Sequence, residues 1–143
     1  MTSSKLHLND LASLDIKSFA DKGCWLVINH PVTNQPLVND KDQEWRMLLA
    51  GKDSSVYRKA TSDAIQRRFE QGNKLSPEAL EAEQINVLST SVLNFENFVE
   101  NGKELPYSQE NAFMLVERFP WIREQIETLI LNRNEYFLSN TPA

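Results

Sequence analysis

The sequence is poor in the residues that build reactive or cross-linked sites: among 143 residues there are one cysteine, two histidines and four glycines. With Cys24 alone no disulfide can close within the chain, and a reducing compartment is the expected home. His7 and His30 do not stand at the i,i+4 spacing of a zinc helix and no thiolate set accompanies them, so neither a metal nor a cofactor is expected. No apolar run approaches the roughly 18 residues that read as a bilayer span. The N-terminus, MTSSKLHLNDLASLDIKSFADKG, lacks a basic head followed by a long apolar stretch, so a soluble, cytoplasmic protein is expected rather than an exported or membrane one. A formal net charge of −5, from 15 basic and 20 acidic side chains, opposes general attraction to polyanions and makes nucleic-acid binding an unfavoured reading. Catalysis lacks a convergent set of groups: the string GKDSS at Gly51 suggests a phosphate loop, but Arg46 stands where that pattern needs its first glycine.

What is present is 41% hydrophobic residues, enough for one domain with its own core. Residues 1–22 read as an N-terminal arm or short helix, with Leu11, Leu14, Ile16 and Phe19 set among charges. CWLVINHP, opened by Gly23 and stopped by Pro31, has the β-favouring run of a strand. A turn-rich stretch follows, and EWRMLLAG resumes the apolar character; Trp25 and Trp45 are expected to pack within this sheet, and His30 to serve as a turn residue or strand-end cap. Residues 23–51 are thus expected to form a small antiparallel β-meander.

From Asp53 onward the signals are those of helices. Asp53, Ser54 or Ser55 can cap a helix through Phe69 that Gly72 closes. Ser76 and Pro77 open a long second helix carrying Leu80, Ile85, Leu88, Val92 and Phe95 as far as Gly102. Ser108 opens a third, and Pro120 launches a fourth, WIREQIETLILNRNEYFL. The expectation is an α+β fold, a single domain over 23–138 with the meander followed by about four helices over 53–138, and a frayed tail at 139–143. Charge is segregated between Arg58, Lys59, Arg67 and Arg68 on the first of these helices and Glu78, Glu81, Glu83, Glu96, Glu100 and Glu104 on the second, which reads first as ordinary solvated faces and otherwise as helix-to-helix pairing or a basic strip for nucleic acid or an acidic partner. In the last helix Ile122, Ile126, Leu129, Ile130 and Phe137 suffice for a core face. Trp121, Leu131, Tyr136 and Leu138 are left over as a second, partner-binding surface.

The strings GCWLVINHPVTNQPL, GKDSSVYRKA and NGKELPYSQENAFMLVERFPWIREQIETLILNRNEYFL, in that order and covering most of the chain, resemble the tail assembly chaperones of long-tailed bacteriophages. The resemblance implies a non-enzymatic protein that binds the tape measure protein, a long helical polypeptide, and keeps it soluble in the host cytoplasm before tail tube subunits polymerise around it. It implies absence from the mature virion, and as further partners the tail tube protein and a frameshifted longer form. Self-association is expected, because surfaces that await a helical client satisfy one another in its absence. The competing readings are a small phage structural or adaptor protein and a nucleic-acid-binding regulator.

Overall fold

The computed structural model describes residues 10–72 and 76–139; the expectations for residues 1–9 of the N-terminal arm and 140–143 of the tail lie outside the described residues. A 3₁₀ turn, Leu11–Leu14, leads into helix α1 (Ile16–Lys22) and the hairpin strands β1 (Cys24–Val27) and β2 (Arg46–Leu49). Helices α2 (Ser55–Glu70) and α3 (Pro77–Thr90) follow, then strands β3 (Val92–Glu96), β4 (Val99–Glu100) and β5 (Lys103–Glu104). Helices α4 (Gln109–Arg118), α5 (Pro120–Ile130) and α6 (Arg133–Ser139) complete the described chain.

The sheet is antiparallel in the order β1-β2-β3, with Leu26 opposite Met47 and Met47 opposite Phe95. Period-2 alternation turns Cys24, Met47 and Leu49 toward the helices, and a bulge in β3 brings both Val92 and Phe95 to the same side, where they join one buried cluster with Ile85, Leu88, Leu115, Ile122, Ile126 and Ile130. Trp25 and Arg46 lie on the opposite, open face. There the guanidinium sits 4.2 Å from the indole centroid and pairs with Glu96. Of the two tryptophans expected within the sheet, only Trp45 packs inward, half-buried against Phe98 at 5.0 Å, whereas Trp25 is exposed.

The expected order of an N-terminal meander followed by four helices is overturned: strands recur through the chain, and six α-helices and five strands in two small sheets are present among the described residues. One reason is a stop after Thr90. The hydroxyls of Ser89 and Thr90 donate to the Asn86 carbonyl and that of Ser91 to Val87, three polar side chains bonding back to the backbone where α3 ends. Val92 and Phe95, which continue a helical spacing on paper, then pair with Leu49 and Met47 of β2, the ladder skipping Leu93 at a bulge. The expected meander thus reduces to a two-stranded hairpin with a long irregular connection, and its third strand comes from the middle of the chain. Gly102, read as a helix stop, belongs to an Asn-Gly hairpin turn between β4 and β5, with φ of 53° at Asn101 and 79° at Gly102. The last helix, read as continuous from Pro120, breaks at Leu131 and Asn132 into α5 and α6.

The helix starts follow their caps. Ser54 accepts from the Tyr57 amide, Ser76 from Ala79 and Ser108 from Asn111, while Pro120 occupies the first turn of α5 without a side-chain cap. His30 is a turn residue as expected: its Nδ1 accepts from the Val32 and Thr33 amides.

Candidate functional site

Helices α2 and α3 pack against each other, and α3 in turn packs on α4 and α5. Where α2 meets α3 it contributes the buried Ala64, and a shallow cleft of about 240 Å³ runs between the two helices. Its floor is Ala64, Val87 and Leu88, and its lips are Ile65 and Leu80, which are 46% and 45% exposed. Phe69, one turn beyond Ile65 on α2, is 68% exposed and extends that apolar row.

Two of the charges around the cleft, Arg68 and Glu83, neutralise each other, while the third, Glu127, is hydrogen-bonded but has no ion pair among the described residues. Arg68 of α2 donates to both carboxylate oxygens of Glu83 on α3, which raises the guanidinium pKa and holds the Glu83 carboxyl below its ordinary value. Gln84 donates to Glu127 of α5 at 2.7 Å. Burial, with Glu127 adding to it, pushes the Tyr57 phenol up, so it is neutral and a hydrogen-bonding group at physiological pH. The expected pairing of the basic and acidic helices is therefore real at Arg68 and Glu83, while Lys59 turns back to Asp63 on its own helix. What the cleft offers is an apolar strip with satisfied rims, suited to the apolar face of another helix.

The residues expected to form a partner surface do not share one. Tyr136 is 1% exposed; its hydroxyl donates to the Leu49 carbonyl, and burial raises its pKa. Trp121 is half-buried, edge-on to Phe119 at 6.0 Å. Leu131 and Leu138 are exposed, one at the end of α5 and the other on α6. Tyr136 is placed wrongly by the sequence reading because the break at Leu131 and Asn132 resets the helical phase for everything after it. Ile65 escaped the reading since Val56, Ala60 and Ala64 already make a stripe; the signal for it was the second i,i+4 row formed with Phe69.

The segments that carry the resemblance have structural work to do. Arg133 donates two hydrogen bonds to Asp53, at 2.7 and 2.8 Å, and Gly51 sits against the Tyr136 ring, so the GKDSS junction and NRNEYF meet in space. In LPYSQEN, Tyr107 and Gln109 both donate to the Val92 carbonyl and Asn111 to that of Pro106, fixing α4 on β3. Among the described residues no group of three or more His, Cys, Asp or Glu is placed to hold a metal ion, and no helix is long and apolar enough to cross a membrane. Compared with models of protein families, with curated proteins and with solved structures, the chain matches none.

Proposed function

We propose that this protein is a non-enzymatic assembly chaperone that receives an amphipathic helix of its client in the cleft between α2 and α3. The observation that carries the reading is the exposed pair Ile65 and Leu80 on the lips of the cleft, with Phe69 one turn beyond, beside an apolar floor and the Arg68–Glu83 ion pair. Burying such a row against a client helix removes apolar surface from water while Arg68 and Glu83 keep each other as partners. The resemblance to tail assembly chaperones supplies the client, the phage tape measure protein, a long helical chain on which many weak sites add up by avidity. In the same reading the chaperone works in the host cytoplasm and leaves before the virion is complete. The tail tube protein and a frameshifted longer form are its further partners, and copies of the chaperone associate when no client is present.

Co-expression with the tape measure protein tests this. Ile65→Ser combined with Leu80→Ser is expected to leave the circular dichroism spectrum unchanged and to send the client into the insoluble fraction. Leu131→Ser with Leu138→Ser is expected to leave the client soluble. The reverse pattern moves the binding surface to the C-terminal helices, and retention of the client by both folded variants refutes helix capture at either place.

A further inference from the structure

β1 is an edge strand, and its outer edge is only partly closed. Ile28 donates to the Trp45 carbonyl at 2.9 Å and accepts from Leu37 at 3.0 Å, so its backbone faces inward. By alternation the N–H and C=O groups of Trp25, Val27 and Asn29 face outward. Asn29 is covered in an unusual way. The side-chain amide of Gln125, from α5, accepts from its N–H at 2.9 Å and donates to its C=O at 3.0 Å, a pair of bonds that a neighbouring strand would otherwise make. Among the described residues nothing does the same for Val27, whose amide and carbonyl open onto a cleft of about 460 Å³ between β1 and α5. Glu124, Thr128 and Glu135 line the far side. Neither glutamate has an ion pair among the described residues, and no cation lines the cleft.

We propose that the outer edge of β1, from Trp25 to Asn29, takes an extended basic segment of a partner protein as a fourth strand. Val27 supplies the central pair of main-chain bonds, and the Gln125 amide is a placeholder that the incoming backbone displaces from Asn29. The charge of the rim selects the occupant. A second copy of this chain, pairing β1 with β1 about a two-fold axis, brings the same acidic rims together, whereas lysine or arginine at alternate positions of an incoming strand finds Glu124 and Glu135 unpaired. This site is separate from the cleft between α2 and α3, and it stands or falls independently of the client reading.

The probe is a nine-residue peptide alternating lysine and valine, added to the full-length protein. Backbone amide exchange is followed by NMR, alongside a glutamate-for-lysine peptide and a copy N-methylated at alternate residues. The lysine peptide is expected to slow exchange at Trp25 and Val27, and the other two to leave it unchanged. Glu124→Gln with Glu135→Gln is expected to weaken the lysine peptide about tenfold, as loss of two partly screened charge pairs allows. Gln125→Ala is expected to tighten it, since Asn29 then needs no uncovering, and Ile65→Ser with Leu80→Ser to change nothing. Equal binding of the glutamate peptide, or binding without protection of Val27, overturns the proposal. So does protection of Val27 that grows with protein concentration in the absence of peptide, which would make this edge an interface between copies.

Discussion

Gly51 is a glycine because Tyr136 occupies the space beside it. A Cβ there would lie 3.0 Å from Tyr136 Cζ and 3.1 Å from Ala20 Cβ, and both neighbours are fixed in the core. Gly51→Ala is therefore expected to destabilise by about 1–3 kcal/mol, the usual cost of an added methyl in a filled interior, as read by urea denaturation. In a Tyr136→Leu background the same change is expected to cost less, because a smaller side chain faces the new methyl; an additive double mutant would show that the two residues do not meet. Gly51 is legible from the sequence as the turn between a strand and a helix, and the structure keeps that role. Its close approach to a residue 85 positions away (136 − 51) has no sequence signal, because contact between distant segments is decided by the whole packing.

At the scale of elements, α4 ends in an arrangement that its own sequence cannot complete. The last carbonyls of a helix have no partner within it. Here those of Val116 and Glu117 accept from Nε and Nη2 of Arg123, a buried residue on the next helix, while Nη1 reaches the exposed Glu81 carboxylate on α3. One guanidinium thus caps α4, complements its dipole and ties α3, α4 and α5 together. Arg123→Ala is expected to cost about 2–4 kcal/mol by leaving two carbonyls unsatisfied in a buried corner, and Arg123→Lys to recover only part, since an ammonium cannot present the same fork. Glu81→Gln, at the solvent end, is expected to change little; thermal melts of the three variants rank them. Four helix starts were legible, because a serine or proline at the first turn acts locally, as at Ser54, Ser76, Ser108 and Pro120, whereas the start of α6 at Arg133 was not. Helix ends were not: α3 stops where three hydroxyls in succession bond back to the backbone, and β3 exists because β2 offers it a partner. Asn101 and Gly102 were the exception, a hairpin dipeptide present in the sequence and read only as a stop.

For the whole molecule, three carboxylates hold segments together that are remote in the chain, and all three are kept below their ordinary values of 3.8 to 4.5. Asp21 accepts from the Ser55 amide, Asp53 from Arg133, and Glu83 from Arg68. A depressed folded-state pKa means the unfolded chain binds protons first as pH falls, so the stabilisation is complete above the ordinary values and is lost as pH drops through the lowered ones. The melting temperature is expected to hold at neutral pH and to decline below about pH 4.5. Asp53→Asn is expected to lower it at pH 7 while flattening the acid decline; an unchanged acid slope would remove Asp53 from the account. The anchoring of α6 also bears on how the chain acquires its fold during synthesis. Arg133 and Tyr136 leave the ribosome well after the residues they hold, Asp53, Leu49 and the α1 end of the core. Until they emerge, β1 and β2 lack one of their covering helices, and the growing polypeptide carries an apolar sheet face that is only partly shielded. A protein read as guarding another chain from aggregation therefore passes through a stage in which its own nascent chain needs guarding.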